Sequence, residues 1–528
     1  MYQKLANSFL NSLTLLAILI FAIAIGSGVR FLNLEQKTVW NDEALSIHRV
    51  SGYSDEQINA EIFNGEAIDL QRLKSYQELD PASKDFDVVS ILLRDNPQHP
   101  PVYYLFLRLW VKVFGESLFF WRSLSAVFSV AALAAVFLLC RELGESWQGA
   151  SIAAAIASVS PLNIAYAQEA REYSLWVLTT LAASIFLLKA FKTNNLVSWL
   201  LYGIVSSIGL YVYPFTLFVL IAHGCYLLLL GKKHGLKMYG IATMFATVSY
   251  VPWVVYILSG WSETGSRWTS MAISRQSMLG NWGEHIIKLF LLPGRDRDLV
   301  YYTVLFGLLA TIGYCFYLLC RYKSRSTWLF VICLTCAVFL PLATADILLE
   351  GMRSSISRYI LPSLTGVQIA IALGIDAGIE QAGRKSKTFA LGCLSVFLLS
   401  SAISCSSYFK QEVSWNKDDS EYLVEVSQII NQAQNPLIIG NSDGMNMGNM
   451  LSLSHLLKPE NQPSFLLVDG WQKPDYENMP LIPKTFSEIY LVNMSQKFQA
   501  EVEQRLNSKP KPLYSSDGMS LKRIKANN

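Results

Sequence analysis

Two adjacent carboxylates, Asp42 and Glu43, lie just beyond the first long apolar run of the chain. The polar loop that follows them reaches His99, which precedes two prolines, and then the neighbouring tyrosines Tyr103 and Tyr104. Most Asp and Glu side chains simply sit in water, so the acidic pair by itself is weak evidence of chemistry. An acidic pair at the mouth of an apolar region favours chemistry on that face only if the surrounding elements also position other reactive groups there.

The composition is that of a polytopic membrane protein. Hydrophobic residues make up 52% of the 528 residues and charged residues only 16%, against roughly 25% charged residues in a soluble domain. The net charge is +3, and the lysines and arginines are spread between apolar runs. This distribution argues against a nucleic-acid partner and bears instead on orientation in the membrane.

Apolar windows of about 20 residues predict about 11 transmembrane helices. The first of them is interpreted as a retained helix, because no small-x-small cleavage site follows it. The windows lie at 12–31, 119–139, 147–166, 173–190, 196–213, 214–231, 239–260, 300–320, 327–346, 358–377 and 388–407.

Charge in the loops predicts which face each loop occupies. With a cytoplasmic N-terminus, the loops at 189–192, 231–237, 321–325 and 384–387 are all cytoplasmic and all carry Lys or Arg, as the positive-inside rule requires. The same count places 32–118, 166–172, 261–299, 347–357 and everything after 408 on the extracytoplasmic side. Within the first loop, Arg108 and Lys112 predict an interfacial helix with its cations at headgroup level.

Two domains are expected. Residues 1–407 form a multi-span membrane domain that includes the 32–118 loop, and residues 408–528 form a small extracytoplasmic α/β domain with alternating strand and helix patterns. The turn at 440–444 follows the first predicted strand. It either binds a ligand at a helix N-terminus or is an ordinary βα turn.

Several short motifs occur in a characteristic order, and together they carry a family resemblance. They are Trp40-x-Asp42-Glu43, the HPPxYY segment at 99–104, Phe120-x-Arg122-Ser123-Leu124, Ser160-Pro161, the segment Gln168-Glu169-Ala170-Arg171-Glu172-Tyr173-Ser174, and Arg358-Tyr359-x-x-Pro362. In these motifs the chain resembles a family 39-type glycosyltransferase of the C superfamily, the group of protein O-mannosyltransferases and bacterial lipid A aminoarabinose transferases. The resemblance covers roughly residues 30–370.

The resemblance implies a reaction and its partners. Enzymes of that family pass a sugar from a polyprenyl-phosphate donor to an acceptor hydroxyl on the extracytoplasmic side. The acceptor here is a lipid, a glycan or a protein, and membrane lipids surround the enzyme. The expected location is the bacterial plasma (inner) membrane, with the active site facing outward. The sugar, the acceptor and the carrier length stay open.

Chemistry assigns roles to four of these residues. A carboxylate that takes the acceptor proton accelerates attack by roughly 10²–10⁴-fold, and Asp42 is the candidate base. Glu43 shares that role, orients the acceptor or binds a cation, and it points away from Asp42 if the backbone is extended. Arg171 and Arg358 are placed to neutralise the leaving phosphate. Arg358 alternatively anchors the helix end to headgroups or pairs with Glu350.

The remaining candidate residues have weaker signals. Tyr359 is a candidate phosphate ligand, and the candidate substrate-binding residues are His99, Tyr103, Tyr104, Glu169, Glu172 and Tyr173. The tyrosines also fit an interfacial belt, and the two glutamates also fit local pairing with Arg171 together with interfacial solvation. Trp261, Trp268 and Trp282 invite the same choice between anchoring and sugar contact, and Arg295 and Arg297 between headgroups and phosphate.

Metal and thiol chemistry receive little support. A divalent cation is left open as a cofactor, and no other cofactor is indicated. Cys333 and Cys336 form a CxxC inside a predicted span, where packing is the favoured interpretation.

Three other functions compete. They are a secondary transporter, a ligase or polymerase of lipid-linked glycans, and a catalytically inactive scaffold. A transporter places ionisable groups near the midplane, whereas the notable charges here gather at one predicted face.

Overall fold

The computed structural model describes residues 2–231, 235–259, 271–292, 297–380, 383–417, 420–483, 485–486, 488–516 and 518–525. Trp261, Trp268 and Arg295 lie outside these residues. The chain divides into two compact units. The first unit comprises Met1–Leu34, Asn96–Tyr103 and Arg122–Lys410, and the second comprises Glu35–Asp95, Tyr104–Trp121 and Gln411–Asn528.

The first unit is helical. Its helices are α1 (Tyr2–Val29), most of α7 (Leu118–Glu142), α8 (Trp147–Val159), α9 (Pro161–Ala167), α10 (Tyr173–Thr193), α11 (Leu196–Val212), α12 (Thr216–Leu230), α13 (Leu236–Ser259), α14 (Arg275–Ile287), α15 (Leu299–Tyr322), α16 (Arg325–Cys336), α17 (Phe339–Leu349), α18 (Leu361–Glu380) and α19 (Gly383–Tyr408). Most of these helices are apolar on all sides, as expected where the surroundings are protein or hydrocarbon.

Within the described residues, seven helices are long and apolar enough to cross a membrane, and eight if the bent pair α8 and α9 is one span. Three shorter apolar helical segments are Leu13–Val29, which is the C-terminal part of α1, and the helices α11 and α12. The architecture is therefore that of a membrane protein, and the count of 11 spans stays a prediction.

The window at 147–166 is two helices and not one. The chain bends by 62° between α8 and α9, where Ser160 is extended and Pro161 occupies the first position of α9. Proline has no N–H and a fixed φ, so it begins a helix well and cannot continue one. The bend directs the chain into the turn at 168–172, which carries candidate site residues.

Helix α18 lies in the centre of the first unit, where it packs against α8, α15, α16 and α19. Small residues permit the close approach. A Cβ atom added at Gly374 would lie 2.3 Å from the Cys315 carbonyl oxygen, and one at Gly366 would lie 2.7 Å from the Thr335 nitrogen. Close backbone contact through small residues is the usual means of packing helices in a membrane.

The second unit contains a six-stranded mixed sheet in the order β1-β3-β2-β4-β6-β5. Its strands are β1 (Asn64–Asp69), β2 (Leu437–Asn441), β3 (Ser464–Val468), β4 (Glu488–Val492), β5 (Lys511–Ser515) and β6 (Ser520–Lys525). Strand β2 is parallel to β3 and β4, whereas β1 and β6 are antiparallel to their neighbours. The core of this sheet includes Leu437, Ile439, Leu466 and Val468.

Helices of the second unit come from both ends of its sequence. They are α2 (Asn41–Ser51), α3 (Asp55–Ile62), α4 (Leu70–Lys74), α5 (Asp87–Asp95), most of α6 (Val102–Phe114), α20 (Glu421–Ile430), α21 (Asn446–Leu456) and α22 (Gln496–Leu506). Much of the 32–118 loop thus groups with the C-terminal residues, and strand β1 of that loop extends the sheet.

Arg108 of α6 is fully buried. Its Nη1 donates to the Val50 carbonyl (2.5 Å) and its Nη2 to the Ser83 carbonyl (2.8 Å). The prediction that Arg108 lies at headgroup level is therefore wrong, because a buried guanidinium needs internal acceptors and finds them in two backbone carbonyls. Lys112, on the exposed side of the same helix, pairs with Asp85.

Candidate active site

Asp42 and Glu43 lie in the first turn of α2, with Trp40 as its N-cap residue. The extended backbone considered from the sequence is therefore wrong, and the carboxylates instead stand at a helix N-terminus, which favours negative charge. The two side chains still diverge. Glu43 is 1% exposed and Asp42 is half-buried, so Asp42 is the more accessible of the pair.

C-terminal residues of the second unit hold this motif. The Asn41 side-chain amide donates to the Met445 carbonyl and to Asn449 Oδ1. The Lys417 ammonium lies 3.5 Å from the Trp40 ring centroid, a close cation–π contact. The beginning of α2 is thus fixed by residues from the last quarter of the chain.

The other end of α2 is fixed by a buried ion cluster that sequence reasoning missed. Asp55 accepts from His48 Nε2 (2.8 Å) and from Arg49 Nε and Nη2 (3.0 and 2.6 Å). Burial alone would raise the pKa of the Asp55 carboxyl, but the Arg49 charge and the His48 hydrogen bond hold it well below its usual range. Tyr104 is 1% exposed.

In the first unit, His99, Arg171 and Glu172 form one cluster. His99 Nδ1 donates to Glu172 Oε1 (2.7 Å), and Arg171 Nη2 lies 3.4 Å from His99 Nδ1 and 3.3 Å from His99 Nε2. Arg171 Nε lies 3.5 Å from Glu172 Oε2. Burial opposes ionisation of Glu172, yet the charge of Arg171 and the contact with His99 outweigh it and lower the pKa of this carboxyl to about 2.

The turn at 168–172 is held by backbone contacts. Gln168 Nε2 donates to the carbonyls of Val29, Arg30 and Leu32 at 3.2, 3.3 and 2.8 Å. Those carbonyls lie at the end of α1 and just beyond it, where helix carbonyls lack intrahelical partners. Gln168 therefore joins the turn to the end of the first helix.

Tyr103 fixes the same turn from the other side. Its hydroxyl hydrogen-bonds Ser125 Oγ (2.8 Å), and Ser125 Oγ donates to the Arg171 carbonyl (3.0 Å). Glu169 and Glu172 are buried, so their expected interfacial solvation is wrong, while the local pairing of Glu172 with Arg171 is confirmed.

Arg358 and Tyr359 belong to a 3₁₀ turn, Ser357–Ile360, that leads into α18. Both are half-buried, and the Arg358 guanidinium carbon lies 5.5 Å from the Tyr359 ring centroid. Tyr359 contacts Tyr213 at 6.5 Å between centroids, and Tyr213 contacts Tyr173 at 6.2 Å. The Arg171 guanidinium carbon lies 5.6 Å from the Tyr173 ring, so a row of tyrosines connects the two arginines.

A second network, also missed from the sequence, shapes the segment before Arg358. His285 Nε2 donates to the Ser354 carbonyl (3.0 Å), so its Nδ1 accepts from Ser357 Oγ (2.8 Å). Asp346 pairs with Arg353 (3.1 Å) and accepts from the Ser354 nitrogen (2.6 Å). No local sequence pattern marks this network, because its members lie far apart in the chain.

Two candidate residues of the 261–299 loop, Trp282 and Arg297, have structural partners. Trp282 donates from Nε1 to Ser354 Oγ (3.1 Å). Arg297 pairs with Glu284 (2.5 Å) and donates to Asn281. Trp282 thus joins the network that shapes the 353–357 segment, and a role for Arg297 at headgroups or phosphate has no support in these contacts.

A small cavity of about 30 Å³ lies beside Tyr173 in the first unit. Its walls are mostly apolar and include Leu133, Val136 and Leu361, and Arg30 and Asn163 supply polar groups. Arg30 is fully buried, and its Nη1 donates to the Ser158 carbonyl (2.6 Å).

Among the described residues, no group of three or more His, Cys, Asp or Glu side chains is arranged to hold a metal ion. The eight cysteines are free thiols, and Cys333 and Cys336 lie half-buried in or at the end of an apolar helix.

Comparison with known proteins agrees with the expected resemblance. A family described as dolichyl-phosphate-mannose-protein mannosyltransferase matches residues 98–256, and no curated protein matches the chain at a significant level. The structure of ArnT from Cupriavidus metallidurans bound to undecaprenyl phosphate is similar at a TM-score of 0.57 and 11% identity, over 96% of this chain and 98% of that chain. AglB, an archaeal oligosaccharyltransferase from Archaeoglobus fulgidus in complex with an inhibitory peptide and a dolichol-phosphate, is similar at a TM-score of 0.50 and 12% identity, over 91% and 69% of the two chains.

Proposed function

We propose that this chain, whose confirmed resemblance is to glycosyltransferases of the C superfamily, transfers a sugar from a polyprenyl-phosphate donor to an acceptor hydroxyl. The observation that carries the proposal is the row of tyrosines that joins a buried His99–Arg171–Glu172 cluster to a half-buried Arg358. The similar structures of ArnT and AglB were solved with undecaprenyl phosphate and with a dolichol-phosphate, which supports a polyprenyl-phosphate ligand.

Arg358 is the first candidate for the donor phosphate. Arg171 is 1% exposed and already faces Glu172, whereas Arg358 keeps part of its surface accessible. A guanidinium fork binds two phosphate oxygens at once. In this proposal Arg358 holds the phosphate with Tyr359 beside it, and Arg171 and His99 form the positively polarised wall behind them.

Asp42 is proposed as the general base. The acceptor O–H proton passes to an Asp42 carboxylate oxygen as the acceptor oxygen bonds the anomeric carbon. The bond from that carbon to the donor phosphate oxygen breaks with its electron pair as the new bond forms, and the phosphate needs no proton because cationic groups stabilise its charge. Glu43 is too buried for this exchange, and its proposed role is to keep the first turn of α2 in place.

The acceptor is a lipid, a glycan or a protein. The cationic loops predicted from the sequence on the opposite side support a site that faces outward from a bacterial plasma membrane. External labelling of a cysteine introduced at 440–450, with no labelling of one at 235–237, would support this orientation, and the reverse pattern would overturn it.

The direct test compares polyprenyl-linked sugars and surface glycans by mass spectrometry in cells with and without the protein. We expect a donor to accumulate and one glycan sugar to disappear. Purified protein in detergent should then transfer that sugar, which a transporter cannot do without a closed membrane. Transfer of a whole lipid-linked oligosaccharide would instead indicate a ligase or polymerase, and unchanged glycans with an inactive purified protein would indicate a scaffold.

A further inference from the structure

The carboxyl edge of the parallel strands in the second unit contains a topological switch point. From β2 the chain passes to β3 on one side, and it then returns to β4 on the other side. In open α/β sheets, ligands bind outside the carboxyl ends of the strands where the order reverses in this way. A ligand of the second unit is therefore expected at the loops that follow β2, β3 and β4.

The deep part of this edge is closed by the sheet's own side chains. Asn441 Nδ2 donates to Asp475 Oδ2 (3.2 Å), and Asn441 Oδ1 accepts from Asn446 Nδ2 (2.6 Å) and from the Asp443 nitrogen (3.2 Å). The same Asp475 oxygen accepts from the Ser495 nitrogen at the start of α22 (2.8 Å). The Asp475 carboxylate therefore occupies the N-terminus of α22, and its bond from Asn441 brings negative charge to the beginning of the 440–444 turn.

The rim of the edge is open. Trp471 is 51% exposed, and Asp443 and Gln472 are exposed beside it in the loops after β2 and β3. A Cβ atom added at Gly470 would lie 3.0 Å from the Asp443 Cβ, so the two loops are in direct contact. An aromatic face, a carboxylate and an amide thus share one shallow surface.

Asp469 makes this surface rigid. Its Oδ1 accepts from the nitrogens of Trp471 and Gln472 (2.9 and 3.2 Å) and from Asn59 Nδ2 (3.1 Å). The loop that carries Trp471 is therefore ordered before any ligand arrives, which lowers the entropic cost of binding.

We propose that this rim, formed by Asp443, Trp471 and Gln472, binds a pyranose ring of a saccharide acceptor. The Trp471 face packs on the C–H face of the ring, the Asp443 carboxylate accepts from two neighbouring hydroxyls, and the Gln472 amide donates to and accepts from a third. Because the deeper part of the edge is filled by side chains, the rim can bind a terminal sugar of a glycan at the surface. It cannot bind a ligand that requires a deep pocket. The identity of this sugar as the acceptor rests on the proposed function.

Saturation-transfer NMR on the full chain in nanodiscs tests the site without any donor. The probes are maltose, cellobiose and a mannobiose, with glycerol as the small-polyol control. We expect ring-proton saturation from at least one disaccharide and a loss of about tenfold in affinity in Trp471→Ala and in Asp443→Asn. Trp147→Ala, which removes another exposed tryptophan (66%) in the first unit, is the matched control and should bind normally.

The saccharide site and the proposed sugar transfer can be refuted independently. Disaccharide binding that depends on Trp471 supports the site even if no sugar transfer is ever found. If the protein transfers a sugar and Trp471→Ala leaves the KM for the acceptor unchanged, the bound saccharide is not the acceptor. The proposal would be overturned if no disaccharide produced a saturation signal. It would also be overturned if brominated lipids quenched the fluorescence of Trp471, identified as the signal that Trp471→Ala removes, because Trp471 would then contact the membrane.

Discussion

Gly448 offers a direct test of whether C-terminal residues position the candidate base. It lies in α21, where an added Cβ atom would sit 2.6 Å from Asn41 Nδ2 and 3.0 Å from the Asn41 carbonyl oxygen. The backbone oxygen would have to retreat by about 0.4 Å, and the side-chain amide by about twice that, to reach ordinary contact. Asn41 precedes Asp42 in the first turn of α2, so the Gly448→Ala variant should displace the carboxylate.

A displacement of that order should lower kcat by about 10- to 100-fold, because a misplacement of about 1 Å costs about 10²-fold in rate. Donor affinity should not change. Alanine favours a helix over glycine by about 1 kcal/mol, so a weaker α21 cannot explain the loss. The matched control is Gly392→Ala in α19, where nothing lies within 4 Å of the added atom. Single-turnover kinetics that match wild type in Gly448→Ala would refute the reasoning.

Three further outcomes are expected. Asp42→Asn should lower turnover by about 10²-fold or more while thermal stability and donor binding stay normal; near-normal turnover in the purified protein would move the base elsewhere. Arg358→Lys should impair turnover and donor affinity together, because an ammonium cannot form the bidentate contact, whereas a headgroup anchor would tolerate lysine in both assays. The Glu172 pKa is lowered from 4.5 to about 2, so the stability it contributes is complete above pH 4.5 and is lost as the pH falls toward 2. The free energy of unfolding of Glu172→Gln should be lower by about 3 kcal/mol and should lack that acid dependence. An unchanged pH profile of stability would show that Glu172 is not ionised in the fold.

Much of the helical unit could be predicted from hydropathy, since long apolar runs can satisfy their backbone groups in a membrane only as helices. Pro161 marks a possible helix break in the sequence, but the direction of the bend depends on packing. The C-terminal strands at 437–439, 465–468 and 489–492 were also predicted close to their observed positions, because short apolar runs between helical patterns are a strong local signal.

Contacts between distant segments could not be predicted. Strand β1 at 64–69 is polar and exposed on its own, and it is a strand only because β3 offers an edge. Arg108 looks like an interfacial cation until its two carbonyl partners are known. His285 gives no sign of its role, since the serines it binds lie about 70 residues away. Local periodicity contains no information on such pairs.

The hydrogen bond from Asn41 to the Met445 carbonyl joins residues 404 positions apart. A ribosome adds about 5–20 residues per second, so roughly 20–80 seconds of synthesis separate the two partners. During that interval the first helices are already made, yet the turn that carries Asp42 lacks the groups that fix it. A nascent or prematurely terminated chain would therefore lack the contact that holds the first turn of α2, so the proposed base would be positioned only after synthesis has passed residue 445.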